Sequence, residues 1–166
     1  TQTAGLAFGG STGAISAATE EYDGSAWTTS GNMNTARSGL AGAGTQIASL
    51  AFGGFTTVNS AATEQYDGSA WSNTSSMATA RRELAGDGTL QAGLGFGGYT
   101  TTVQSATEEF TSSINVTTAA AWASGGNLST ARQTPGGAGT QTEGLTFGGY
   151  TGTANTDTTE EYNGSV

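Results

Sequence analysis

Apolar and polar side chains alternate along short segments of this chain, and the pattern recurs with a regular period. In residues 48–54, Ala48, Leu50 and Phe52 fall on one face of an extended segment, which indicates a half-buried β-strand. The Phe-Gly-Gly that ends this segment recurs at intervals of 44, 44 and 51 residues, at Phe8, Phe52, Phe96 and Phe147. A period of this size predicts one supersecondary unit stacked on copies of itself.

Other landmarks keep the same spacing. An aromatic residue follows each of these Phe residues by 14 or 15 positions, at Tyr22, Tyr66, Phe110 and Tyr162. Tryptophan follows in the first three units, at Trp27, Trp71 and Trp122. An arginine lies ten residues after each tryptophan, at Arg37, Arg81 and Arg132. The spacing argues against a disordered low-complexity chain, because each unit carries its own set of apolar residues. We expect the tryptophans to be core residues of these units.

One unit reads as four short strands, named A to D here. Residues 36–44 are mostly Gly and Ala, which suit a strand A that is crowded by other backbones. Residues 48–54 form strand B, and residues 61–66 form strand C after a polar loop. An Asp-Gly hairpin signal then leads to strand D, which begins at Trp71. Four short antiparallel strands per unit predict an all-β fold built from β-propeller blades.

The order of these landmarks resembles the kelch repeat. The matching residues are Arg37, Gly53-Gly54, Glu64-Gln65-Tyr66-Asp67, Trp71 and Met77. The resemblance implies a kelch-type β-propeller arc of four-stranded antiparallel blades, with strand A along the central axis. Departures from the pattern are that Phe110 replaces Tyr, that Leu128 replaces Met, and that a proline near this Met is missing. The small-residue-rich sequence also resembles kelch-like repeats in structural proteins of marine bacteriophages.

The assignment of strands A to D divides the chain into two full blades and two incomplete ones. Residues 1–35 hold strands B-C-D, residues 36–78 and 79–130 each hold a blade, and residues 131–166 hold strands A-B-C. Extra residues around 112–119 separate strands C and D of the third unit and are expected to form an outer loop. Kelch propellers usually have more blades, so we expect a fragment of a longer propeller or a chain that oligomerises through its open strand edges.

Composition narrows the chemistry that the chain can support. It has no Cys, His or Lys, and four Arg stand against 13 acidic residues, which gives a net charge of −9. Disulfides, thiolates and nucleophiles paired with His are therefore excluded. The copper site of the kelch-fold enzyme galactose oxidase needs His and a Cys-modified Tyr, so this segment cannot hold it. The acidic charge disfavours binding to nucleic acid, and no apolar run is long enough for membrane insertion. No cofactor and no metal are expected.

The repeated arginines are the first candidates for a site. Three arginines could bind a carboxylate, as in sialidase propellers, but equivalent positions should point around a ring rather than converge. We expect buried or half-buried ion pairs between blades, formed by Arg37, Arg81 and Arg132 with the repeat-equivalent acids Glu20, Glu64, Glu108 and Glu160. Neighbouring acids such as Glu20 and Glu21 point to opposite faces of a strand, which argues against a shared calcium ion or a catalytic carboxylate pair.

The loops between strands B and C are the second candidates, because they vary in sequence and length while the framework does not. Each begins just after Gly-Gly, and three of them open with an aromatic residue near Thr and Asn. A ring flanked by short polar side chains suits recognition of a sugar or a protein surface. The candidate binding residues are Phe55, Asn59, Tyr99, Tyr150 and Asn155. Alternatively, these aromatic residues only cover the edges of the blades.

The sequence therefore favours a non-catalytic structural or binding module. The phage-like resemblance and the Lys-free surface rich in Thr, Ser and Gly indicate a virion or cell exterior, in a phage tail, fibre or capsid-associated protein. The expected partners are a host-surface glycan or the protein subunits of a larger assembly. Two alternatives stay open. One is an adaptor propeller, in the cytoplasm or elsewhere, that binds a peptide over its B–C loops, and the other is a hydrolase or lyase propeller whose catalytic residues lie outside this segment.

Overall fold

The computed structural model describes residues 3–112 and 120–164, and the regular secondary structure in these residues is entirely β-strand. The strands form four antiparallel sheets that follow one another along the chain. The expected all-β, antiparallel architecture is confirmed. The predicted outer loop at 112–119 lies, apart from Ser112, outside the described residues.

The sheets contain three or four strands each, and consecutive strands are hydrogen-bonded neighbours. The first sheet consists of β1 (Gly5–Phe8), β2 (Thr19–Tyr22) and β3 (Trp27–Ser30). The second consists of β4 (Ala41–Thr45), β5 (Ala48–Phe52), β6 (Thr63–Tyr66) and β7 (Trp71–Thr74). The third consists of β8 (Ala85–Gly88), β9 (Ala92–Phe96), β10 (Thr107–Thr111) and β11 (Ala121–Ser124). The fourth consists of β12 (Gly136–Gly139), β13 (Gly144–Phe147) and β14 (Thr159–Tyr162).

The segment ahead of strand A ties neighbouring sheets together. Strand β4 begins at Ala41, later than the predicted strand, and Arg37 lies before it. The backbone N–H of Arg37 donates to the carbonyl of Ser16 at 3.1 Å, and its carbonyl accepts from the N–H of Gly10 at 2.8 Å. Both partners belong to the β1–β2 loop of the first sheet. The backbone of Arg37 therefore belongs to the boundary between two sheets and not to a strand.

Strand β5 is buried on both faces, and the predicted half-buried strand is wrong in this respect. Leu50, Ala51 and Phe52 have no exposed surface, and Ser49 is also buried. The alternation in the sequence identified one apolar face correctly. The other face carries small residues that pack against a neighbouring sheet, a contact that local alternation does not reveal.

The first strands of the last three sheets lie against one another, with β4 in contact with β8 and β8 in contact with β12. Glycine permits this approach, because the Phe ring at the end of strand B in one unit points at strand A of the next unit. A Cβ atom on Gly42 would lie 2.5 Å from Cζ of Phe8, and one on Gly86 would lie 2.5 Å from Cζ of Phe52. In the part of the chain that the structure describes, no helix has the length and apolarity that crossing a membrane requires.

Candidate functional site

Arg37 and Glu64 form a fully buried ion pair. Nη2 of Arg37 lies 3.0 Å from Oε1 of Glu64, and neither side chain is exposed. Nη1 of Arg37 donates to the carbonyls of Gly53 at 2.8 Å and Ala62 at 2.6 Å. Burial lowers the pKa of Arg37, and the carboxylate of Glu64 opposes that shift. Because removal of one partner of a buried pair costs about 3–5 kcal/mol, the pair has a structural role.

The third and fourth sheets contain equivalent pairs. Nη2 of Arg81 lies 3.1 Å from Oε1 of Glu108, and Nη2 of Arg132 donates a hydrogen bond to Oε1 of Glu160. Both members of each pair belong to the same sheet's unit, whereas the sequence predicted pairs that bridge two blades. It is the arginine backbone that reaches the preceding sheet. Glu20 is exposed and has no arginine partner among residues 3–112 and 120–164. Each buried guanidinium group is enclosed in its own sheet, so the three arginines do not form a shared anion site.

Three of the predicted loop residues gather around Arg82. Cζ of Arg82 lies 5.0 Å from the ring centroid of Phe55 and 4.8 Å from that of Tyr99, so the guanidinium group contacts both rings. Nη1 of Arg82 donates to Oδ1 of Asn59 at 3.0 Å, and Nδ2 of Asn59 donates to the carbonyl of Thr100 at 2.9 Å. Each cation–π contact of this kind contributes about 0.5–1 kcal/mol at an exposed site. Arg82 therefore connects two neighbouring loops and orients their rings.

The aromatic residues of the loops are also fixed through their backbones. Each takes part in two isolated β-bridges, one within its own loop and one to the residue that follows a buried arginine. The bridge partners are Ser38 and Asn59 for Phe55, Arg82 and Val103 for Tyr99, and Gln133 and Asn155 for Tyr150. These loops are therefore pre-organised by main-chain hydrogen bonds, and not only by side-chain packing.

An open cleft of about 970 Å³ separates the β9–β10 loop from the β13–β14 loop. Tyr99 and Tyr150 line it together with Arg82, Glu83 and several Thr side chains. The hydroxyl of Tyr150 donates to the carbonyl of Gly152 at 3.0 Å, which holds this ring against its own loop. The cleft thus combines two aromatic rings with hydroxyl groups and one charge of each sign. Asn155 is exposed and does not belong to the lining, although its backbone pairs with that of Tyr150.

Glu83 occupies the cleft in a strained backbone conformation. Its φ is 57°, in the left-handed region, and the equivalent residue of the preceding unit is Gly39, which has the same φ. A residue other than glycine in this region costs on the order of 1–3 kcal/mol. Its side chain approaches Arg82 with an Nε–Oε1 distance of 3.4 Å, and both side chains are partly exposed. The equivalent residue of the following unit, Thr134, has a φ of 50°, so the left-handed conformation is a feature of this repeat position and not of Glu83 alone.

Arg82 and Glu83 are the two site residues that the sequence interpretation missed. A signal for Arg82 was present, because the residue after the buried arginine is Ser38 or Gln133 in the other units and a second arginine only here. Glu83 follows it where the preceding unit has glycine. These departures from the repeat pattern mark the cleft better than the landmarks that recur.

No protein-family model matches the chain, and a search of curated proteins finds no significant match. Among the described residues, no three acidic, His or Cys side chains lie close enough together to hold a metal ion. The lining of the cleft offers hydrogen-bonding groups and aromatic ring faces, which suit non-covalent recognition.

Proposed function

We propose that this chain is a kelch-like β-propeller segment that serves as a binding module and takes a carbohydrate in the cleft between Tyr99 and Tyr150. The observation that carries the proposal is the pair of tyrosine rings across a cleft whose charged side chains, Arg82 and Glu83, are held in place. A propeller is supported by the successive contacts of the first strands and by four-stranded antiparallel sheets.

The chemistry of the lining favours a sugar. Sugar rings offer apolar C–H faces to aromatic side chains and hydroxyl groups to hydrogen-bonding partners, and Tyr provides a rigid contact area at low entropic cost. Arg82 and Glu83 supply a donor and an acceptor next to the ring of Tyr99. A host-surface glycan bound by a virion or cell-exterior protein, in a phage tail, fibre or capsid assembly, is the partner class that this combination supports.

A glycan array probed with the labelled 166-residue chain tests this proposal. We expect a restricted set of glycans to bind, and titration calorimetry with one of them should show a loss of affinity of about tenfold in Tyr150→Ala, as for a well-packed aromatic contact. Glu83→Gly is a sharper variant, because glycine adopts the same backbone without strain. It should keep or raise the thermal stability and still weaken binding. Tyr22→Ala, in the first sheet and away from the cleft, serves as the control.

Two results would overturn the carbohydrate assignment. One is an array without any binding glycan, and the other is binding that neither cleft variant weakens. If extended peptides bound over the same loops instead, with the same sensitivity to Tyr150→Ala, the module would be an adaptor for proteins.

A further inference from the structure

Every arginine of the chain is already paired with a glutamate. Arg37, Arg81 and Arg132 are buried, and each forms an ion pair with a glutamate of its own unit. The fourth, Arg82, is partly exposed in the cleft and pairs with Glu83. The chain contains no lysine, so its net charge of −9 resides on acids other than these four partners. A ligand that carries negative charge therefore meets an acidic protein whose cationic side chains are all engaged.

The guanidinium group of Arg82 has little capacity left for an anion. Nε donates to Oε1 of Glu83 at 3.4 Å, and Nη1 donates to Oδ1 of Asn59 at 3.0 Å. A carboxylate is recognised best through two parallel hydrogen bonds, which use Nη2 together with Nε or with Nη1. Both of these nitrogens have partners, and Nη2 is the nitrogen of Arg82 that lacks one among the described residues. A single hydrogen bond to a hydroxyl oxygen of a ligand suits this position.

The backbone holds Glu83 in the cleft. Its N–H donates to the carbonyl of Gly39 in the preceding unit at 2.7 Å, and its carbonyl accepts from the N–H of Thr134 in the following unit at 2.7 Å. These three residues occupy the same position of the repeat, and of the three only Glu83 has a charged side chain. A carboxylate thus extends from a backbone that is hydrogen-bonded to the equivalent residues on both sides.

The rest of the lining is uncharged. It consists mainly of polar side chains, which are those of Thr101, Thr102, Gln133, Thr151 and Thr153, together with the two tyrosines. The next charged residue along the β13–β14 loop is Asp157, which is exposed and negative. An anionic ligand would therefore meet the fixed carboxylate of Glu83 without a free cation to offset the repulsion, whereas a neutral one would find hydroxyl and amide groups.

We infer that the cleft selects an uncharged sugar, one without a carboxylate, sulfate or phosphate group, and that Glu83 sets this preference. The inference rests on the proposed carbohydrate function and adds the class of sugar to it. A sugar hydroxyl donates to the carboxylate of Glu83 and accepts from Nη2 of Arg82, whereas an acidic sugar places a like charge beside Glu83. Specificity of this kind comes from a repulsive element that rejects the wrong ligand.

Matched pairs of sugars test the selectivity on the unaltered 166-residue chain. Tetrasaccharides of glucose, galactose and mannose are each compared with the tetrasaccharide of the corresponding uronic acid, in which a carboxylate replaces the CH2OH group. Titration calorimetry at about 0.01 M salt should show a neutral sugar that binds at least about tenfold more tightly than its uronate. At about 0.15 M salt the uronate should bind more tightly than at low salt, because screening weakens the repulsion between like charges.

Glu83→Gln isolates the charge, because glutamine keeps an oxygen acceptor on a side chain of the same length. The ratio of the two dissociation constants should fall several-fold in this variant, through tighter binding of the uronate. Glu20→Gln is the matched control, since it removes the same charge from an exposed position in the first sheet. It should leave the ratio unchanged.

Uronates that bind as tightly as their neutral partners would overturn the selectivity and leave the carbohydrate function intact. Equal changes of the ratio in Glu83→Gln and Glu20→Gln would overturn the role of Glu83, because the overall charge would then account for the preference. Absence of binding by every tetrasaccharide would instead overturn the proposed function, and this inference with it. The comparison of sugars and of salt concentrations on the unaltered chain keeps the test decisive even if Glu83→Gln fails to fold.

Discussion

At the scale of single residues, a tyrosine–carboxylate hydrogen bond crosses two of the three boundaries between sheets. The pairs are Tyr66 with Glu21 and Tyr162 with Glu109. At the remaining boundary the equivalent residues are Phe110 and Gln65, so the hydroxyl donor and the charged acceptor are both replaced. The paired replacement leaves no carboxylate without its donor. Two departures from the repeat that look unrelated in the sequence thus fall at the two positions that form this hydrogen bond at the other boundaries.

A double-mutant cycle on Tyr66 and Glu21 tests this coupling. Tyr66→Phe should lower the free energy of unfolding by about 1–3 kcal/mol, because a charged acceptor in a partly buried site loses its donor. In the Glu21→Gln background the same change should cost less, with a coupling energy above about 0.5 kcal/mol in urea denaturation. Tyr22→Phe is the control, since its hydroxyl makes no hydrogen bond among the described residues. Strictly additive effects would contradict the coupling.

The same tyrosines predict a loss of stability at alkaline pH. Burial, reinforced by the hydrogen bond to Glu109, raises the pKa of Tyr162 to about 12, and burial also raises the pKa of Tyr66. Tyrosine in an unfolded chain has a pKa of about 10. The pKa of these tyrosines is higher in the folded state than in the unfolded chain. The stabilisation that comes from the protonated tyrosines is therefore complete below pH 10 and is lost as the pH rises toward 12.

Thermal melts across this pH range would measure the effect. The melting temperature should fall more steeply between pH 10 and 12 in the natural chain than in a Tyr66→Phe, Tyr162→Phe variant. Absorbance of the phenolate near the same pH would identify the groups that titrate. Identical alkaline profiles for the two proteins would show that other groups control this transition.

At the scale of the elements, glycine on the first strand of a sheet determines how closely the preceding sheet can approach. A Cβ atom on Gly86 of β8 would lie 2.5 Å from Cζ of Phe52 and 2.8 Å from the carbonyl oxygen of Gly42. The ring of Phe52 is fully buried and cannot move into solvent. The glycine-rich sequence of the first strands is therefore a packing requirement as well as a compositional bias.

Gly86→Ala should destabilise the chain by about 1–3 kcal/mol, the usual cost of overpacking a core. Gly5→Ala on β1 is the matched control, because its nearest neighbours would lie 3.6 Å from the added Cβ atom. This control should change the free energy of unfolding by no more than about 0.5 kcal/mol. Urea denaturation of both variants would measure these changes. Equal losses in the free energy of unfolding would refute the packing argument.

At the scale of the whole molecule, the two middle sheets are covered on both sides and the outer two on one side. Trp27 in the first sheet is 51% exposed and Phe147 in the fourth is 44% exposed, whereas Trp71 and Phe52 in the second sheet are buried. In a repeat architecture, stability is the sum of each unit and its contacts with its neighbours. Among the described residues, each outer sheet contacts one neighbouring sheet, so in this 166-residue chain the outer sheets should open more readily.

Amide hydrogen exchange should reveal this gradient. We expect amides of β5 and β9 to exchange at least about tenfold more slowly than those of β2 and β13, since local opening follows the density of buried contacts. Mass spectrometry of exchanged peptides would resolve the four sheets. Uniform protection across them would mean that the sheets unfold as one cooperative unit.

Much of the fold follows from local features of the sequence. The repeated Phe-Gly-Gly and the period-2 alternation predicted antiparallel strands in all four units, and the Asp-Gly turns at residues 23–24 and 67–68 predicted hairpins in the first two. These features can be recognised because strand propensity and turn geometry depend on adjacent residues. The equivalence of Arg37, Arg81 and Arg132 also followed from spacing, since equal positions in equal units have equal surroundings. Two of the loop aromatics that line the cleft, Tyr99 and Tyr150, were identified in the same way.

Only the tertiary structure decided which residues meet across the sheets. The stacking of Arg82 between two loops and the burial of both faces of β5 depend on how one sheet is placed against the next. The hydrogen bond from Trp122 to Thr63 joins residues 59 positions apart. Local alternation carries no information about such distances, because the orientation of neighbouring sheets is set by the combined packing of several units. The sequence alone therefore determined the strands, whereas the contacts between sheets determined the sites.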